Sequence, residues 1–148
     1  MLTIFTTPKD FKGHFAIIQE NAIASWCKLQ PEYQIILLGK GYRVSEIAKK
    51  YHALHIPDVK TSTTGTPLVS DLFYKAQKIA KFPILAYVNS DVILLEDFSK
   101  SIQKIKLKPF LVIGHRWELR VNHKINFDKD WRKRLSKELQ KWGEIKSN

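Results

Sequence analysis

Short apolar runs alternate along this chain with segments whose apolar residues recur every three or four positions. That alternation limits the fold more than any other feature. Residues 2–6 mix β-branched and aromatic side chains as a strand does, and Thr7-Pro8-Lys9-Asp10 stops them. From about His14 the spacing of Phe15, Ile18, Ala22, Trp26 and Leu29 predicts one helical stripe, ended by Pro31. Residues 34–39 read as a second buried strand, turning at Gly39-Lys40-Gly41. Val44 to Tyr51 reads as a short helix for which Ser45 offers a cap. Residues 52–56 give a weaker third strand, closed by Pro57-Asp58. A polar, hydroxyl-rich loop follows over 57–67, and Pro67 suits the first turn of a helix running to about Lys81, with Leu68, Leu72, Ala76 and Ile79 inward.

The run 84–88 is continuously apolar and predicts a strand buried on both faces. It ends abruptly in Asn89-Ser90-Asp91. A helix is expected from Glu96 to about Ile105, and a fifth strand over 110–114. Residues 115–121 then read as an extension or partner strand. A basic helix from Asp128 to Trp142 carries Trp131, Leu135, Leu139 and Trp142 on one side. The order β-α-β-α-β-loop-α-β-α-β specifies an α/β fold, a mainly parallel sheet flanked by helices and Rossmann-like in plan. One domain is expected over residues 1–148, with a core over 1–100 and a basic C-terminal part over 101–148. In such sheets ligands bind beyond the carboxyl ends of the strands, near the point where strand order reverses.

Charge separates the two parts. Residues 1–99 carry 11 Lys and Arg against 9 Asp and Glu, whereas residues 100–148 carry 14 against 5. An excess of this size can attract a phosphorylated ligand, an acidic membrane surface or nucleic acid; the competing reading, favoured for most of these lysines, is a solvated helix face. The single cysteine, Cys27, excludes a disulfide framework and a Cys-rich zinc site, and beside Trp26 it is expected to be buried or half-buried. No apolar run approaches the ~20 residues that span a bilayer, and Met1-Leu2-Thr3-Ile4 lacks the basic start of a signal peptide. A cytoplasmic location is the resulting expectation.

Several nucleotide-binding signatures are missing. The turn after the first strand has no glycine, so the dinucleotide fingerprint is absent, and no Gly-x-x-x-x-Gly-Lys-Ser/Thr occurs. Gly-x-Ser-x-Gly, Cys-x-x-Cys and His-x-x-x-His are absent as well. Asn89 and Asp91 remain, two oxygen-bearing side chains at i and i+2 beyond an apolar strand. Hard divalent cations take such ligands. The competing reading makes both residues turn formers whose side chains bond nearby backbone.

A first strand closing on threonine, a polar loop with a glycine, a helix, and an apolar strand closing on a short acidic turn together resemble the GT-A nucleotide-sugar glycosyltransferases, family-2-like members best. Thr64-Gly65-Thr66-Pro67-Leu68-Val69-Ser70-Asp71 stands where that family begins a helix after its Asn-x-Gly segment. Asn89-Ser90-Asp91 matches its Asp-x-Asp motif, with asparagine in place of the first aspartate. The resemblance covers roughly residues 2–100. It implies that Thr6, Thr7 and Pro8 line a nucleoside pocket, that Asp71 and Ser90 face the nucleotide, and that Asn89 and Asp91 hold Mn²⁺ or Mg²⁺ on the diphosphate. The implied ligand is a nucleoside-diphosphate sugar and the implied activity a metal-dependent sugar transfer; the acceptor is not indicated.

The asparagine removes one formal charge and lowers the expected metal affinity. The family's acceptor site and catalytic base lie after the acidic turn. Here the acidic candidates there are Glu118, Asp128, Asp130, Glu138 and Glu144, none in a mappable motif, while His115 and Arg116 offer contacts for a phosphate. The alternative is a non-enzymatic α/β module using its basic third on acidic lipid or nucleic acid, nucleic acid being the less favoured partner.

Overall fold

The computed structural model describes residues 2–146. Its elements are β1 (Thr3–Thr6), α1 (Gly13–Trp26), β2 (Gln34–Leu38), α2 (Val44–Lys50), β3 (Leu54–Ile56), α3 (Val69–Ile79), β4 (Leu85–Tyr87), α4 (Glu96–Lys104), β5 (Arg116–Glu118), α5 (Trp131–Trp142) and β6 (Glu144–Lys146). Four strands form a wholly parallel sheet in the order β3-β2-β1-β4. The fold is therefore α/β, with helices on both faces of a parallel sheet. No helix of the described residues is long and apolar enough to cross a membrane.

Period-two alternation divides the core. Leu2, Ile4, Ile35 and Leu37 point to one face, where Ala22, Ile23 and Trp26 of α1 and Val44, Ile47 and Ala48 of α2 cover them. Phe98 and Ile102 of α4 pack against the same layer. Phe5, Ile36 and Leu38 point to the other face, where Leu72 and Ala76 of α3 cover them. Chain direction explains the split. Strands β1, β2 and β3 are laid down in one direction, so both right-handed crossovers fall on one face; the return from β3 to β4 puts α3 on the opposite face.

The C-terminal part lies over the outer side of α1. Asn21 Nδ2 donates to the His123 carbonyl, and the Ile125 N–H donates to Asn21 Oδ1, each at 2.9 Å. Arg132 donates to the Lys28 carbonyl at 2.8 Å. Covered on both sides, α1 buries Gln19, Glu20, Asn21 and Ser25 along with its apolar residues. Glu20 is the most costly of these to bury, and Lys50 Nζ stands 2.5 Å from its carboxylate.

Several expectations are corrected. The strand expected over 110–114 does not form, and β5 pairs antiparallel with β6 in a separate two-stranded sheet. In consequence β4 has β1 as its one neighbour, and the run 84–88 is half-buried with Tyr87 exposed, not buried on both faces. Helix α1 exposes Phe15, because its first turn projects past the sheet. Ser45 is not the cap of α2. Arg43 takes that position at φ +63°, held by two bonds to Glu46 of 2.8 and 2.6 Å. Pro67 precedes α3 and bridges Thr61, so Leu68 stays exposed at the helix start, and Ile79 is exposed at its end. Cys27 is exposed, with Sγ 3.9 Å from the Tyr51 carbonyl; desolvation by neighbouring groups pushes its thiol pKa up, away from reactivity.

Trp26 joins the core to the segment after β4, since its Nε1 donates to the Val92 carbonyl at 2.9 Å. Trp26→Phe should cost about 1 kcal/mol of unfolding free energy through the lost hydrogen bond. Trp26→Ala should cost about 3–5 kcal/mol through the cavity as well. Urea titration of both variants measures the two contributions.

Candidate functional site

Parallel strands place all their carboxyl ends on one edge. Between β1 and β4 the order of strand addition reverses, the position at which parallel sheets form a ligand crevice between the turns that follow. The loop after β1 begins with Thr7-Pro8-Lys9, and the loop after β4 holds Asn89-Ser90-Asp91. The sheet thus brings the two expected segments to adjacent positions.

Gln19 of α1 ties these loops together. Its Oε1 accepts from the Lys9 N–H at 2.8 Å and from Ser90 Oγ at 2.7 Å, while its Nε2 donates to the Lys9 carbonyl at 3.1 Å. Further along the helix, Ser25 Oγ accepts from the Leu94 N–H at 3.0 Å and donates to the Ala22 carbonyl at 2.6 Å. With Trp26 on the Val92 carbonyl, three side chains of one helix fix the path of residues 90–94. Gln19 lies on the apolar stripe itself, four residues after Phe15 and three before Ala22, and apolar periodicity passes over it because it is polar; an uncharged polar residue on the buried face of a helix was the available signal.

The Asn-Ser-Asp segment is a turn, closed by the Val92 N–H on the Asn89 carbonyl at 3.0 Å. Yet the turn does not consume its outer side chains. Asn89 and Asp91 are exposed, and among the described residues neither side chain makes a hydrogen bond or ion pair. Both were available as backbone-bonding turn formers, and neither acts as one. Ser90 differs: it is buried and its hydroxyl is spent on Gln19.

The other expected residues fall into two groups. Thr6 and Pro8 are buried, and Thr7 is half-buried. Thr6 Oγ1, fully buried at the end of β1, has no hydrogen-bond partner among the described residues, an uncommon condition for a buried hydroxyl. Thr7 Oγ1 lies close to Gly39, whose φ of +110° suits glycine, and a Cβ there would stand 3.5 Å from that oxygen. Asp71 is buried in the first turn of α3, where its Oδ2 accepts from the Lys60 N–H at 2.7 Å and pairs with Lys75 Nζ at 3.1 Å. Its oxygen anchors the hydroxyl-rich loop 57–67. Within that loop Ser62 and Thr64 bond one another at 2.8 Å.

The rim of the edge is interlocked. Asp10 Oδ1, after β1, accepts from the Tyr42 N–H at 2.7 Å, and the Phe11 N–H returns a bond to the Tyr42 carbonyl at 3.1 Å. Lys40 and Asp58 pair at 2.6 Å between the loops after β2 and β3. On the α3 side, Phe5, Phe73 and Tyr87 form an aromatic cluster with centroids 4.8–6.1 Å apart, and Phe73 and Tyr87 are partly open to solvent.

A cation is tested by this donor set. Among the described residues no cluster of three or more His, Cys, Asp or Glu side chains could cage an ion. One carboxylate and one carboxamide nevertheless suit Mg²⁺ or Mn²⁺, which bind through one or two protein oxygens and complete their shell with phosphate and water. The fit is to an ion shared with a ligand.

His115 and Arg116 lie before and within β5, in the smaller sheet, where Arg116 pairs with Glu118 at 3.1 Å. Asp128 is taken by Arg134 at 2.9 Å and Asp130 lies 3.8 Å from Lys133. The side chain of Glu144 lies outside the described residues. Two hollows also sit elsewhere. One of about 340 Å³ opens by Gln34, Leu54 and Lys81, at the amino ends of the strands, and another of about 480 Å³ lies between Leu119, Arg120, Glu138 and Trp142. The strand-end crevice is the stronger candidate because unspent side-chain oxygens gather there. No family model matches the chain, and neither a curated protein nor a solved structure matches it.

Two predictions follow from these bonds. Gln19→Leu leaves the Lys9 and Ser90 groups without partners, so unfolding should ease by about 1–3 kcal/mol and the Lys9 and Ser90 amides should exchange faster than those of β2. Asp71 is held below the ordinary carboxyl range, first by the Lys60 N–H and then by Lys75. A depressed folded pKa gives a contribution that is full above the ordinary value of about 3.9 and is lost as pH falls through the lower folded value. The Lys60 amide shift should therefore titrate below about pH 3.9, and Asp71→Asn should abolish that titration.

Proposed function

We propose that the crevice between β1 and β4 binds the diphosphate of a nucleoside-diphosphate sugar, as in the GT-A glycosyltransferases that the sequence resembles. One observation carries this reading. At the reversal point of a parallel sheet, Asn89 and Asp91 present side-chain oxygens that nothing else among the described residues uses, on a turn fixed from behind by Gln19. Exposed, unspent donors on a rigid support suit a shared cation, because little conformational entropy remains to be lost on binding.

Asn89 and Asp91 would hold Mg²⁺ or Mn²⁺, whose charge offsets that of a departing nucleoside diphosphate. Thr7 and the backbone of the Thr7-Pro8-Lys9 turn supply the opposite wall. Thr6 Oγ1 is a reserve donor that becomes available only if this turn shifts. Ser90 and Asp71 are assigned to support: the first through Gln19, the second by anchoring the 57–67 loop beside the same edge. Among the described side chains Glu118, Asp128 and Asp130 are paired with cations and Glu138 lines a separate hollow, so the reading covers binding of the donor for a sugar transfer and assigns no catalytic base.

Calorimetric titration with UDP and with GDP tests it. Binding of at least one should strengthen about tenfold or more when Mn²⁺ is present, equivalent to about 1.4 kcal/mol. Asp91→Ala should remove that gain, and Asn89→Asp should increase it by restoring a charge. Binding that is insensitive to both metal and Asp91→Ala would contradict the reading.

A further inference from the structure

The segment joining α4 to β5 is apolar and open. Leu107, Leu111 and Ile113 are 77, 87 and 83 % exposed, and Val112 is 55 % exposed. Residues 110–114 have the composition of a strand, yet pair with nothing in either sheet. Trp117 on β5 and Trp142 at the end of α5 are 54 and 68 % exposed. They belong to one unit, because Trp142 shares a hollow with Arg120, and β6, which begins two residues after Trp142, pairs with β5. Exposed apolar side chains following one another this closely along the chain point to an interaction site.

Its surroundings state the chemistry of the partner. Residues 104–120 carry Lys104, Lys106, Lys108, Arg116 and Arg120 against Glu118 alone. Leu107 stands between two of these lysines, and the aliphatic run 111–113 is flanked by basic residues on both sides. We infer that this surface docks on an anionic lipid bilayer, with Leu107, Leu111 and Ile113 entering the acyl boundary. The lysines and Arg120 then meet lipid phosphates, and the two exposed tryptophans sit at headgroup level, where indoles collect.

The charge argues against a second copy as the occupant, because a symmetric contact would bring two basic rims together. The aliphatic side chains argue against nucleic acid, which is met by charge and by stacking aromatics and gains little from leucine and isoleucine. A bilayer satisfies both features at once. Apolar insertion and electrostatic attraction together make the two-signal arrangement that stable peripheral binding needs.

Flotation of the full chain with lipid vesicles tests the inference. Binding should occur on phosphatidylcholine vesicles containing phosphatidylglycerol, be absent on pure phosphatidylcholine, and weaken with salt. The double variant Leu111→Ser with Ile113→Ser changes no charge and touches no core residue. It should bind at least about tenfold more weakly while its thermal unfolding matches the parent. Lys106→Glu with Lys108→Glu should weaken binding further at low salt than at high salt. Tryptophan emission should shift to the blue on binding, and Trp142→Phe should reduce that shift. Absence of vesicle binding would overturn the inference. So would vesicle binding unchanged by the serine variant, which is charge attraction alone, or self-association or RNA binding that the serine variant abolishes while vesicle binding persists.

Discussion

Strand β1 is hydrogen-bonded along both sides, to β2 through Thr3–Gln34 to Thr6–Leu37 and to β4 through Thr3–Leu85 to Phe5–Tyr87. The rest of the molecule depends on that double pairing. All four residues of β1 are buried, so the strand is specified from both faces, and a one-residue slip would drive Ile4 into the layer under α3 and Phe5 into the layer under α1 and α2. Because β2 and β3 extend the sheet to one side and β4 to the other, the chain must cross back. That crossing places α3 alone on the second face and opens the crevice at the carboxyl ends.

Helix α1 turns this crevice into a fixed structure. A helix packed only on a sheet would have a polar outer face, but here Asn21 holds the backbone of residues 123 and 125 from outside. Inside, Gln19, Ser25 and Trp26 hold the strand-end loop at 90, 94 and 92. Each of these buried groups must be satisfied, since an unpaired buried polar group costs more than a hydrogen bond contributes. The result is a turn whose middle residue is committed to support and whose outer residues, Asn89 and Asp91, stay free among the described residues. The fully buried Thr6 hydroxyl departs from this rule at the same edge, as Ser99 Oγ does in α4, each unpaired among the described residues.

The strands and helices of the core were legible because short apolar runs and three-to-four spacing reflect burial directly, from residues 2–6 through the helix starting at Glu96. The failures share a cause: periodicity reports what could be buried, not what finds a partner. Residues 110–114 have strand composition but do not pair with the open edge of β4, which is left half-buried in consequence. In two places another local contact overrode the local signal. Ser45 lost the cap position to Arg43, which pairs with Glu46 three residues on, and Pro67 bridges Thr61 within the same loop. At the site, position was readable and role was not. The Asn-Ser-Asp segment stands at the strand end as the sequence implies, but the role of Gln19, a single polar residue on the buried face of α1, depends on partners 10 and 71 positions away that local spacing does not encode. Asp71 was visible as an acidic residue opening a helix; its use as the anchor of Lys60 depends on a loop path that composition does not encode.

If the crevice is what Asn89 and Asp91 serve, a paramagnetic ion should report it by place. In a nuclear magnetic resonance titration with UDP or GDP present, substoichiometric Mn²⁺ should broaden the amide signals of Thr7, Lys9, Ser90 and Asp91. Those of Gln34 and Leu54, at the opposite ends of the strands, should stay sharp. Broadening centred instead on the acidic residues 128–130, or an unbroadened Asp91 in the presence of nucleotide, would contradict the account.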